Sequence, residues 1–107
     1  MKTIRFNPWF FPLIREGKKT QTRRYAKDVD QCRWGASGDV LAVQGTDMHI
    51  RITGVSLEYI TDISDEDVRR EGFGSRSEFF TALRSIYPGA TRYMRAWVIS
   101  FELVSGV

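Results

Sequence analysis

Gly17-Lys18-Lys19-Thr20-Gln21-Thr22-Arg23-Arg24-Tyr25 is the stretch on which the reading of the fold turns. Glycine adopts the left-handed backbone without a Cβ clash, so Gly17 is a natural stop for a helix arriving from upstream. From Thr20 to Tyr25 the chain reads as extended. Period-two alternation then sets Thr20, Thr22 and Arg24 on one face and Gln21, Arg23 and Tyr25 on the other.

Working upstream, Lys2 to Phe6 alternates enough to form a short first strand. Asn7 can cap a helix with Pro8 at its first position. Pro12 cannot donate a backbone hydrogen bond inside a helix. The sequence therefore predicts a loop or turn through Trp9 and Phe10, and a short helix that starts near Pro12 and ends at Gly17.

Downstream, a polar excursion runs to Ser37, and Gly38-Asp39 opens a strand over Val40 to Gln44. Gly45-Thr46-Asp47 reads as a hairpin-like turn. His49 to Ile60 is a long β segment in which Gly54 marks a bulge that shifts the alternation by one. Ser64 caps a short acidic helix that ends at Gly72. Ser75-Arg76-Ser77-Glu78 is a capping box ahead of Phe79, Phe80, Leu83 and Ile86, which recur at helical spacing. Tyr87-Pro88-Gly89 stops that helix. Tyr93 to Leu103 is the last strand, with Trp97, Ile99, Phe101 and Leu103 on one face. This order predicts an α+β fold: a small barrel-like sheet carrying short helices at one end, and not a doubly wound sheet.

The 107 residues make one domain, 1–107, and 42% hydrophobic residues suffice to close one core. Three Trp, four Tyr and seven Phe leave rings for a stacking surface, and Trp9-Phe10-Phe11 is their densest cluster. Cys32 is the single cysteine, so no disulfide framework forms. The N-terminus has no apolar leader and no run reaches the roughly 18 apolar residues of a membrane span, so no membrane partner is expected and the cytoplasm is the default compartment. The formal net charge is +3. Arg15, Lys18, Lys19, Arg23, Arg24 and Lys27 form a basic block opposed only by Glu16, either the footprint of a phosphate-binding surface or a solvated face.

His49 is the single histidine and lies in a strand, which leaves a Ser-His-Asp triad or a histidine-based metal site hard to build. One Cys and one His rule out a structural zinc, and no Gly-rich phosphate loop appears. No metal and no cofactor are expected. What remains is Lys, Thr, Glu, Arg and Tyr chemistry. A lysine serves as general base when burial and neighbouring positive charge lower its pKa, and Lys19 sits among Lys18, Arg23 and Arg24. Thr22, three residues on, is a hydroxyl for it to activate. Odd spacing puts the two on opposite faces of a strand, so they converge only if Lys19 lies in the turn after Gly17.

Gly17 to Arg24 matches the G-x-K-x-x-T-x-R signature of the ASCH domain family, which is related to the PUA-like fold. Further blocks resemble the family in order: Gly38-Asp39-Val40-Leu41, Glu71-Gly72-Phe73 with Glu78-Phe79-Phe80, Tyr87-Pro88-Gly89, and Val98 to Leu103. The resemblance implies a small PUA-like β-barrel with short helices flanking a cleft, and a nucleoside or RNA as ligand. Members of similar length include bacterial amidohydrolases that remove the acetyl group from N4-acetylcytidine. Their catalytic lysine, threonine and glutamate fall on Lys19, Thr22 and Glu71, with Glu78 the competing carboxylate. Gly17, Arg23, Arg24, Trp9, Phe10 and Phe73 are the expected substrate-binding residues. Arg24 would hold the ligand or a developing oxyanion, or serve as an ion-pair partner within the motif. The rings would stack on the pyrimidine.

The chain also departs from those enzymes. The aromatic run after Asn7 and the Arg23-Arg24-Tyr25 sequence after Thr22 favour a ligand with a phosphate backbone. Three functions stand side by side: a hydrolase of an acylated cytidine or similar amide, a binding module for single-stranded RNA or a modified base, and a metal-independent ribonuclease. Nothing indicates an oligomeric state.

Overall fold

Three antiparallel strands carry the centre of the sheet: β3 (Val40–Val43), β4 (His49–Tyr59) and β5 (Arg95–Ser105). The computed structural model describes residues 1–89 and 93–105. The short β1 (Thr3–Ile4) runs parallel to β3, and β2 (Gln21–Tyr25) pairs antiparallel with β5, giving the order β1-β3-β4-β5-β2. Gly54 sits at a register shift against β5, where the sequence places a bulge.

The sheet is open. Its edge strands β1 and β2 share no backbone ladder among the described residues, so the expected barrel does not close. A side chain bridges the seam instead: Arg24 Nη2 donates to the carbonyl of Arg5, just beyond β1, at 2.6 Å. Alternation along single strands cannot show whether two edges meet, because their distance depends on the twist and tilt of the whole sheet.

Two apolar clusters hold the fold. The larger gathers Ile4, Ile14, Leu41, Val43, Met48, Ile50, Ile52, Ile99 and Phe101; the smaller gathers Ile60, Ile63, Val68, Phe79, Leu83 and Ala96. β5 feeds both, with Ile99 and Phe101 on one side and Ala96 on the other. Trp97 packs against the larger cluster as its face predicts, but Leu103, at the strand's far end, is 37% exposed.

Local chemistry then positions the site. Asn7 Oδ1 accepts from the Trp9 amide at 3.2 Å and caps a 3-10 turn over Pro8–Phe10, which leads into α1 (Phe11–Arg15). The expected turn and short helix are thus both present, with Pro12 in the helix's first turn, where its missing N–H is harmless. Gly17 (φ +75°) ends α1 in the left-handed region. The Lys18 and Lys19 amides both donate to the Leu13 carbonyl, and the Thr20 amide donates to Arg70. Lys19 therefore lies in the turn between α1 and β2, outside the alternation of the strand.

On the facing side, Ser64 Oγ caps α2 (Asp65–Arg70) by accepting from the Asp67 amide, and Glu71 is its C-terminal cap. Gly72 follows at φ +100°, where a Cβ would meet Phe10 and Leu13 at 3.3 Å. In the capping box of α3 (Arg76–Ile86), Ser75 Oγ accepts from the Glu78 amide, while Glu78 Oε2 accepts from Gly74 rather than from Ser75. Among the described residues no helix is long and apolar enough to cross a membrane.

Candidate functional site

A cleft of about 320 Å³ opens beside β2. The Pro8–Phe10 turn supplies Trp9 and Phe10, the turn after α1 supplies Lys19, β2 supplies Thr22, and the α2–α3 connection supplies Glu71 and Phe73.

Lys19 is 2% exposed, an unusual place for an ammonium. Its Nζ donates to the carbonyls of Gln21 (2.9 Å) and Glu71 (2.7 Å), and it lies 3.4 Å from Glu71 Oε1. The Phe10 ring sits beneath it, 4.3 Å from Nζ to centroid. Burial draws the Lys19 pKa down to about 8; Glu71 opposes this, and Arg24 and Arg23 add lesser downward pushes. The sequence predicts a lowered pKa but overstates the cationic neighbours as its cause: desolvation comes first.

Glu71 is buried and divides its carboxylate between two cations. Oε1 faces Lys19, and Oε2 accepts from Arg23 Nη1 at 3.1 Å. Glu78 is exposed and occupied with the Gly74 amide, so Glu71 is the carboxylate that faces Lys19. The Thr22 hydroxyl lines the same cleft and accepts from Arg24 Nε at 3.3 Å. Lys19 and Thr22 thus share one cavity despite their odd spacing, although Thr22 is not among the hydrogen-bond partners of Lys19.

Arg23, expected to bind substrate, lines the cleft but is tied into an internal network. Its side chain is 2% exposed, and its terminal nitrogens meet Gln21 Oε1, Glu71, Glu58 and Asp67. Arg24 lies over the Phe6 ring while bridging to Arg5, and burial lowers its pKa. Gly17 is not part of the cleft lining and sits in the turn after α1.

The basic block is also largely neutralised in space. Arg15 pairs with Asp47 at 2.9 Å and Lys18 with Glu16 at 3.1 Å. Around the cleft, Lys19 pairs with Glu71, and Arg23 with Glu58, Asp67 and Glu71, whereas Arg24 meets the Thr22 hydroxyl and the Arg5 carbonyl and Arg5 itself lines the cleft. Acids distant in sequence thus meet Arg15, Lys19 and Arg23, while Lys18 meets its neighbour Glu16. Lys27 stays exposed.

Trp9, Phe10 and Phe73 all line the cleft. Trp9 stacks on Phe10 with centroids 4.5 Å apart and is itself 53% exposed; Phe73 meets Phe10 edge-on at 5.7 Å. Arg5, Phe6, Ile86 and Tyr87 also line the cleft, and none is singled out by the sequence. Tyr87 is legible only as the stop of α3, and Phe6 only as the end of a strand. Among the described residues no cluster of His, Cys, Asp and Glu is suited to hold a metal ion.

The fold and the cleft together define an α+β domain with a buried lysine, a threonine and a glutamate on one cleft wall. No family model and no curated protein matches the chain. Solved structures do. The hypothetical protein PH0355 matches with a TM-score of 0.75 at 19% identity, over 97% of this chain and 100% of its own. An ASCH domain from Lactobacillus crispatus JV V101 matches at 0.73 and 21% identity, over 87% of this chain and 69% of its own. Protein EF3133 from Enterococcus faecalis V583, of family DUF984, matches at 0.69 and 20% identity, over 97% and 80%. At these identities the likeness is one of fold: the chain has an ASCH-like fold.

Proposed function

We propose that the cleft binds one acylated pyrimidine nucleoside and hydrolyses its exocyclic amide, N4-acetylcytidine being the type substrate. The observation that carries this is Lys19: an amine buried in a cleft wall, with a pKa near 8, beside a hydroxyl and a carboxylate. Burying a lysine is costly to folding, so its retention beside Thr22 and Glu71 is best explained by a use for its proton.

The chemistry runs through this chain's own side chains. Neutral Lys19 exchanges one of its present hydrogen bonds for the Thr22 hydroxyl and takes its proton. Thr22 Oγ already accepts from Arg24 Nε, which steadies the negative charge it develops. Oγ bonds to the acetyl carbon, and collapse of the tetrahedral adduct breaks the bond from that carbon to N4. The amine leaves with a proton supplied by the Lys19–Glu71 pair. Water then attacks the threonine ester, gives a proton back through the same pair, and acetate departs as Thr22 regains its hydrogen.

Size favours a small ligand. The volume lies at the lower end of small-molecule pockets, roughly 300–1,000 Å³. Trp9, Phe10 and Phe73 provide a stacking wall for a base.

A second reading, a module that binds RNA or a modified base without turnover, is favoured by one feature: Glu71 and Gln21 already engage the Lys19 amine. The ASCH-like fold supports a nucleic-acid ligand in either case. The purified protein, incubated with N4-acetylcytidine, is expected to release cytidine and acetate, and folded Lys19→Ala and Thr22→Ala variants to release neither. Binding of the nucleoside with no product would leave the binding module.

A further inference from the structure

The Arg23 guanidinium meets four side chains, yet the proposed reaction assigns it no step. Its Nη1 donates to Gln21 Oε1 at 2.6 Å and to Glu71 Oε2 at 3.1 Å; its Nη2 donates to Glu58 Oε1 at 3.3 Å and to Asp67 Oδ2 at 3.1 Å. Four acceptors from β2, β4, α2 and the α2 cap thus surround one planar fork. Asp67 is itself held from behind by Arg70 at 2.6 Å. A guanidinium anchored on this many sides has little freedom to follow its partners.

Among the described residues the Glu71 carboxylate has fewer ties: its oxygens meet Lys19 on one side and Arg23 on the other, at 3.4 and 3.1 Å. The shorter contact belongs to Arg23. We infer that Arg23 is a positioning residue: its grip on Glu71 Oε2 sets the length of the Lys19–Glu71 contact and so the ease with which Lys19 gives up its proton. This deepens the hydrolase reading and rests on it only for its consequence in catalysis.

Direction follows from the groups that face Lys19. Glu71 approaches from the α2 cap and favours the ammonium; Arg23 and Arg24 approach from β2 and disfavour it; the Phe6 and Phe10 rings exclude water. Removing the Arg23 guanidinium takes away a like charge and frees Glu71 to close on the amine. Both changes stabilise the ammonium. Neither depends on turnover.

Lys19 is one of only four lysines, with Lys2, Lys18 and Lys27, so its Cε and Nζ resonances can be followed by NMR in lysine-labelled protein. In folded Arg23→Gln, the Lys19 titration midpoint is expected to rise by about one to two pH units. Arg23→Lys keeps a positive charge in the cage and so protects the fold, but one ammonium cannot span four acceptors. It should give a smaller rise of the same sign. An unmoved or lowered midpoint in either folded variant overturns the inference, whether or not the protein hydrolyses anything. Where hydrolysis is present, the alkaline rise in kcat/KM moves up with the midpoint. A loss of activity without that displacement marks a merely structural role and equally overturns it.

Discussion

Lys19 and Glu71 touch twice: the amine donates to the Glu71 carbonyl at 2.7 Å and approaches Oε1 of the same residue at 3.4 Å. The first contact fixes where the amine sits whatever the carboxylate does, because a backbone carbonyl does not titrate. The second is the one through which a proton can pass. In the proposed hydrolysis, separating the two jobs would keep the amine in the cleft wall through the reaction cycle.

The energetic signature of that burial is a dependence of stability on pH. Lys19 titrates near 8 in the folded chain, against its ordinary value of 10.5. Between those values the unfolded chain holds the extra proton, so stability rises as pH rises through the window. The gain attributable to Lys19 is about 3 kcal/mol when complete. Urea unfolding of the wild type and of Lys19→Met, at about pH 7 and about pH 10.5, checks it. The stability difference between the two proteins should move in favour of the wild type by that order; a constant difference argues against a depressed pKa.

Arg24 closes the open side of the sheet. Its bond to the Arg5 carbonyl and its place over Phe6 join the two edge strands. Arg24→Ala should lower stability by about 2 kcal/mol, since a hydrogen bond from a charged donor is lost with its packing. Chemical denaturation gives the value, and a change within about 0.5 kcal/mol leaves Arg24 no role in the seam.

How much of this is legible in the sequence depends on how local each feature is. Gly17, Gly54, Ser64 and Ser75 act on neighbours a few residues away, and each stands where its type predicts a stop, a bulge or a cap. Lys19 and Glu71 are 52 residues apart, and only the family resemblance brings them together in advance. The network around Arg23 is not legible at all. Its carboxylate partners Glu58 and Asp67 lie 35 and 44 residues on, so nothing local shows that a residue expected to contact a ligand is also an internal tie. The open seam was hidden for the same reason, since edge-to-edge distance is a property of the assembled sheet.

Trp9 is exposed at the cleft and rests on Phe10. Stacking of a base on its free face should alter tryptophan fluorescence on addition of cytidine. Trp9→Ala should weaken Kd roughly tenfold, within the range of one stacked base, while Trp9→Phe retains most of the affinity. Equal affinity in all three proteins removes Trp9 from the binding surface.

A ligand without phosphate predicts weak dependence on salt. With no counterions to release from the nucleoside, the slope of its log affinity against log salt should be smaller in magnitude than about 1. A single-stranded oligonucleotide that binds with a slope of about −3 or steeper instead points to a phosphate-tracking groove.

The role given to Thr22 can be read directly by quenching the protein in acid during turnover of N4-acetylcytidine and mapping acetyl groups by peptide mass spectrometry. An acetyl group on Thr22, absent from Thr22→Ala and from protein quenched before substrate is added, is the expected result. Sustained release of cytidine with the same rate in Thr22→Ala and no acetyl group on Thr22 would contradict it.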